Sequence, residues 1–144
     1  MKNLTLLSAL VASTLALGSS ITHAASVSLP ESLEIRSLNG QAVTGVSQIQ
    51  LSEGEHLLEL QYDDLFESNA DDTGARVTSQ ALYLPIELQD SQAYRLVTAN
   101  INSEEDARAF VDAPVVYLLD TQGNRRQIDL VTQKQLMLQV ILGH

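Results

Sequence analysis

The stretch IQLSEGEHLLELQY, Ile49 to Tyr62, decides the fold. Ile49 and Leu51 alternate with glutamines, and Glu53-Gly54 interrupts the pattern. Leu58, Leu60 and Tyr62 then occupy one side of a period-two repeat, with Leu57, Glu59 and Gln61 on the other. A strand sends successive side chains to opposite faces, whereas a helix repeats every 3.6 residues, so this alternation reads as sheet. Leu57, Leu58 and Leu65 also share helical spacing, but the glycine and the alternation favour strands. Two such runs around a short acidic turn predict a hairpin.

Similar patterns extend outward in both directions. Upstream, Leu33 and Ile35 alternate with polar residues, and Asn39-Gly40 is the pair that best tolerates the positive φ angles of a two-residue hairpin turn. Pro30 cannot donate a ladder hydrogen bond and is expected at a strand end or edge. Downstream, Leu82, Leu84 and Ile86 share one face, with Pro85 marking an edge strand or bulge. Tyr94, Leu96 and Thr98 line up in the next strand. The runs at 115–120 and 126–131 flank a turn at Thr121 to Asn124 and form another hairpin. One helix is predicted near 103–112: Ser103 caps its free N–H groups, Glu104, Glu105 and Asp106 favour the positive end of its dipole, and Pro114 stops it. The apolar LMLQVILG that follows is expected to be a last strand. The fold class is therefore mainly β, an antiparallel β-sandwich with one short helix.

Composition bounds the rest. Residues 1–24 have the form of a secretory signal peptide. Lys2 opens a run, Leu4 to Leu17, that is apolar apart from Ser and Thr and too short to span a membrane, and Thr22-His23-Ala24 suits a cleavage site. Residues 25–144 then form a single β-rich domain, exported to the periplasm without a membrane anchor. Eighteen acidic residues against eight basic ones leave a net charge of −10, which opposes contact with phosphate backbones and anionic lipid and argues against nucleic-acid partners. Cysteine is absent, so no disulfide supports an exported fold of this size. Tryptophan is absent too, and with only four Tyr and two Phe the core must rest on Leu, Val and Ile.

Reactive side chains are scarce. His56, beside Glu53 and Glu55, is the one histidine within the domain apart from the terminal His144, and it reads as an ordinary strand residue rather than a base or ligand. No nucleophile elbow, phosphate-binding glycine loop or dinucleotide fingerprint occurs. Catalytic, cofactor-binding and metal-binding residues are accordingly assigned to none, and the protein is not expected to be an enzyme. The acidic stretch from Asp63 to Gly74 is read as an exposed loop. Asn69, Asp71, Thr73 and Gly74 imitate the first half of a calcium loop, but its twelfth position is Gln80 instead of a bidentate glutamate. The alternative function is thus a ligand-binding module of the envelope, for calcium or carbohydrate, using loop 63–74. Open sheet edges are a third candidate, and the terminal QLMLQVILGH reads as completing the core rather than as a contact surface.

The segments LPESLEIRSLNGQAV, IQLSEGEHLLELQY and YRLVTANINSEEDARAFVDAPVVYLLD resemble, in sequence and order, the YccT-like family of proteobacterial periplasmic proteins, over about Val27 to Val131. The specific pieces are the Leu38-Asn39-Gly40 turn, the set Leu51, Gly54, His56 and Tyr62, and the set Ala109, Phe110, Ala113 and Pro114. Many members of that family extend further past the region of Val131 than this chain does. The first half is similar, more loosely, to the PEGA-type β module of envelope proteins. The enterobacterial member is named a curli synthesis inhibitor, so the resemblance implies a modulator or inhibitor of extracellular, curli-like fibre assembly. The alternating strands, the strong negative charge and the lack of reactive groups lead to the expectation that such a protein acts on a protein partner in the envelope through β-edge interactions, without a cofactor.

Overall fold

A computed structural model describes residues 24–67, 74–89 and 92–143; the expected signal segment up to His23 lies outside them. In chain order the elements are β1 (Ala25–Ser28), β2 (Leu33–Leu38), β3 (Gln41–Val46), β4 (Gln48–Leu51), β5 (Gly54–Phe66), β6 (Ala75–Thr78), β7 (Leu82–Leu88), β8 (Ala93–Thr98), α1 (Glu104–Asp112), β9 (Val115–Leu119), β10 (Arg125–Asp129), β11 (Val131–Thr132) and α2 (Gln133–Leu142). They form two sheets, one ordered β10-β9-β8-β1-β4 and the other β11-β7-β5-β2-β3, with β6 paired to the far end of β5. Described strand pairs are antiparallel apart from β1 and β8, which run parallel. The mainly β, sandwich-like expectation holds.

The alternation read from the sequence is what fills the space between the sheets. Leu33, Ile35, Leu58, Leu60, Tyr62 and Leu84 from one sheet, and Val27, Leu96 and Val116 from the other, are fully buried in a single cluster. Each buried aliphatic side chain contributes about 1.5–3 kcal/mol, which lets the fold stand without cross-links. Helix α1 adds Ala107 and Phe110, and the Phe110 ring lies 5.2 Å from that of Tyr62. Its start is as expected: the Ser103 side chain accepts a hydrogen bond from the Asp106 N–H. The Asn39-Gly40 turn joins β2 to β3 with φ of 50° and 81°. Pro85 faces Leu57, in the part of β7 that the two-residue β11 does not reach.

Three expectations are corrected. Ile49 to Tyr62 is not a hairpin: β4 pairs with β1 in one sheet, while β5 pairs with β2 and β7 in the other. The chain crosses the sandwich at Ser52-Glu53-Gly54, where Gly54 adopts a φ of 114°. Alternation reports which face a residue takes, and a turn signal reports a change of direction; neither names the strand alongside. Second, the terminal segment is a helix, which makes two short helices among the described residues. Thr132 and Gln135 form a reciprocal capping box at its start, and Gly143 ends it in the left-handed conformation. An unbroken apolar run has no period to separate strand from helix, so the caps carried the information. Third, Asp63 to Phe66 belong to β5 and pair with Ala75 to Thr78, so the acidic loop begins later than expected. Ser79 joins this extension to β7: Tyr62 N–H donates to its hydroxyl and its own N–H donates to the Tyr62 carbonyl, both at 2.9 Å.

Candidate functional site

Both flanks of the sandwich are made the same way. Ser47 alone separates β3, outermost in one sheet, from β4, outermost in the other; Leu130 alone separates β10 from β11 on the opposite flank. Each switch is fixed by the backbone, with Leu29 N–H donating to the Ser47 carbonyl at 2.8 Å and Leu130 N–H to the Pro114 carbonyl at 2.9 Å. The two flanks differ in chemistry. An outer strand leaves a row of N–H and C=O groups able to pair with another chain, and proteins blunt such rows with charge, bulges or covering elements.

The β10–β11 flank is blunted in that way. Strand β10 carries Arg125, Arg126 and Asp129. The Arg125 guanidinium lies 3.5 Å above the Tyr117 ring, and Arg126 Nη2 donates to the Glu87 carbonyl at 3.4 Å. Strand β11 has two residues and runs directly into α2. The short edge at β6 carries Arg76, which is paired with Asp63. By contrast, the β3–β4 flank has no charged residue from Leu38 to Ser52. Strand β4 keeps regular register with β1 over four pairs, Ala25–Leu51 to Ser28–Gln48, and has no strand on its outer side among the described residues. Strand β3 is interrupted: Ile35 faces Val46 but Ser37 faces Ala42, so β3 bulges around Gly45, over which the Glu34 carboxylate lies. The open edge is therefore Gln48 to Leu51, with Gln48 and Gln50 exposed, extended by the ends of β3.

His56 stands near this flank, in an open depression of about 480 Å³ lined in part by Asn39, Glu55, Pro85 and Glu87. Its Nε2 lies 2.8 Å from the Ser52 carbonyl and its Nδ1 lies 3.3 Å from Asn39 Nδ2. The carbonyl only accepts, so Nε2 carries the proton and Nδ1 accepts from the Asn39 amide. Asn39 Oδ1 in turn accepts from Leu57 N–H at 2.8 Å, and Asn39 N–H donates to the Leu57 carbonyl. Nδ1 thus ties the β2–β3 turn to the start of β5, and Nε2 ties the β4–β5 connection to it. Glu53 and Glu55 hold no hydrogen bond to the ring in this network.

The acidic stretch is divided. Arg76 Nε donates to Asp63 at 2.8 Å and Thr78 Oγ1 at 3.0 Å, and these bonds, those of Arg76 foremost, hold the Asp63 carboxyl down at about 2. Asp64 accepts from Leu65 N–H and the Tyr62 hydroxyl. Asn69, Asp71 and Thr73 lie outside the described residues, as does His144; Gly74 has a φ of 74° and Gln80 is exposed. Among the described residues no three His, Cys, Asp or Glu side chains gather in a way that could hold a metal ion. No helix of the described residues is long and apolar enough to cross a membrane. The uncharged flank is the feature that the sequence reading missed, although the signal, fifteen consecutive positions without charge in an acidic chain, was present from Leu38 to Ser52.

Fold and edges together define a two-sheet β-sandwich with one blunted and one open flank. The chain belongs to DUF2057, a family of uncharacterized proteins conserved in bacteria, whose model matches residues 26–142. That span runs from β1 into α2. No curated protein and no solved structure matched the chain.

Proposed function

We propose that this chain is a non-enzymatic periplasmic protein of the YccT-like kind that restrains the assembly of curli-like fibres by pairing its β4 edge with an extended segment of a fibre subunit. The observation that supports this reading is the contrast between outer strands: charge, an ion pair or a helix accompanies β10, β11 and β6, and a bulge under the Glu34–Arg36 pair interrupts β3, whereas β4 has regular register and no charge. Strand addition supplies main-chain hydrogen bonds with little demand on sequence, which suits a partner whose own segments stack as strands. The strongly acidic remainder keeps copies of the protein from joining the fibre through other faces.

The test is the polymerisation of a purified curli-type subunit, followed by dye fluorescence, with the protein added below and at equal molar ratio. The wild type is expected to lengthen the lag at both ratios. Thr44→Lys with Gln50→Lys places charge on both outer strands at exposed positions and is expected to abolish most of the delay. Gln122→Lys, in the exposed β9–β10 turn, controls for net charge and should leave the delay intact. Unchanged lag and yield with wild-type protein would refute the fibre reading, and equal activity of the edge variant would refute the edge.

A further inference from the structure

Helix α2 is capped at both ends and yet buries no residue. Met137, Leu138, Val140, Ile141 and Leu142 are 46–76% exposed, and together with Leu136 they surround the helix instead of forming one stripe. A helix that is apolar on every side belongs inside something. These five side chains offer on the order of 600 Å² of surface around the helix, the upper end of what the largest apolar patch on a monomer exposes. Beside the helix runs an open groove lined by Pro114, Leu130, Leu138, Asp112, Asp129 and Lys134.

We infer that α2 is the contact through which two copies of this chain associate, each helix packing against the other and against the groove beside it. This goes beyond the proposed pairing with a fibre subunit and uses the opposite flank. Three observations select a second copy as the occupant. A two-fold contact that seats each helix between the partner's helix and the partner's groove would remove up to roughly 1,200 Å² in all, the lower bound of a specific stable interface. The charges around the groove complement themselves under a two-fold axis: Lys134 is the one charged residue of α2, and Asp112 and Asp129 are the acids of the groove, so each copy's lysine meets the other's carboxylates. A lipid surface fits less well, because interfacial helices carry a cationic face and aromatic anchors, whereas α2 has a single lysine, no aromatic residue and an acidic body behind it.

Sedimentation equilibrium of the purified exported chain tests this, with circular dichroism verifying that each variant is folded. The wild type is expected to dimerise at micromolar concentration. Val140→Gln with Ile141→Gln alters two residues that are 76% and 74% exposed, so the fold stays intact while the dissociation constant rises at least about tenfold. Gln50→Lys, on the β4 edge, should leave dimerisation unchanged, which separates this contact from the fibre-pairing one. A monomeric wild type, a dimer indifferent to the α2 variant, a dimer broken by Gln50→Lys, or flotation of the wild-type monomer with neutral phosphatidylcholine vesicles would each overturn the inference.

Discussion

Asn39 shows how much one side chain can fix. Its φ of 50° is a conformation that few residues other than glycine accept, and its amide joins Leu57 N–H to the His56 ring. Asn39→Ala is expected to lower stability by about 1–3 kcal/mol, through both backbone strain and the lost hydrogen bonds. Asn39→Gly should recover the strain component alone, so urea denaturation of the pair separates the two effects. Tyr62 and Asp63 contribute pH dependences of opposite sense. Burial, reinforced by the Asp64 carboxylate, raises the Tyr62 phenol from 10.0 to about 12. The folded state therefore favours the neutral phenol, and this contribution is complete below pH 10 and lost as pH rises through about 12. Asp63, held at about 2 against an ordinary 3.8, acts in the opposite sense: its contribution is complete above pH 3.8 and lost as pH falls through about 2. The denaturation midpoint is expected to decline on both sides of that window, and Tyr62→Phe should remove its share of the alkaline decline.

The two helices make a controlled comparison between elements. Ser103→Ala and Thr132→Ala each delete a capping hydroxyl, a loss of about 1 kcal/mol of helix stability. Helix α1 is attached to the core by Ala107 and Phe110, so Ser103→Ala should move the global unfolding midpoint. Helix α2 buries nothing in the single chain, so Thr132→Ala should accelerate amide exchange across Gln133 to Leu142 and leave the midpoint of the monomer in place. This difference also explains what the sequence made legible. Strands whose buried face alternates, such as Leu58, Leu60 and Tyr62, declare themselves because one face meets the core. The last helix has no buried face to impose a period, and its identity rested on Thr132, Gln135 and Gly143. Partner strands were illegible for a further reason: β4 and β5 adjoin in sequence but lie in opposite sheets, and the choice is made by contacts with β1, β2 and β7. The candidate edge was visible as an absence of charge, but only the strand order shows that the two uncharged strands are the outermost ones on the same flank.

At the scale of the whole molecule, both sheets close on one apolar cluster, so they should not unfold separately. Leu60→Ala removes a fully buried side chain from β5 and is expected to destabilise by about 2–5 kcal/mol. Equilibrium unfolding should remain a single transition whether read at Tyr94 and Tyr117 in one sheet or at Tyr62 and Tyr83 in the other. The parallel pair of β1 and β8 has a temporal effect as well. Of the described strands β1 is the first to be synthesised, but it occupies the interior of its sheet, between β4 and a strand that begins only at Ala93. A chain that emerges from its N-terminus can therefore form the β2–β3 turn early, but it must keep a gap beside β1 until two-thirds of its length has been delivered. During that interval the nascent protein itself displays an unfilled strand position, and it is then most in need of a holding chaperone.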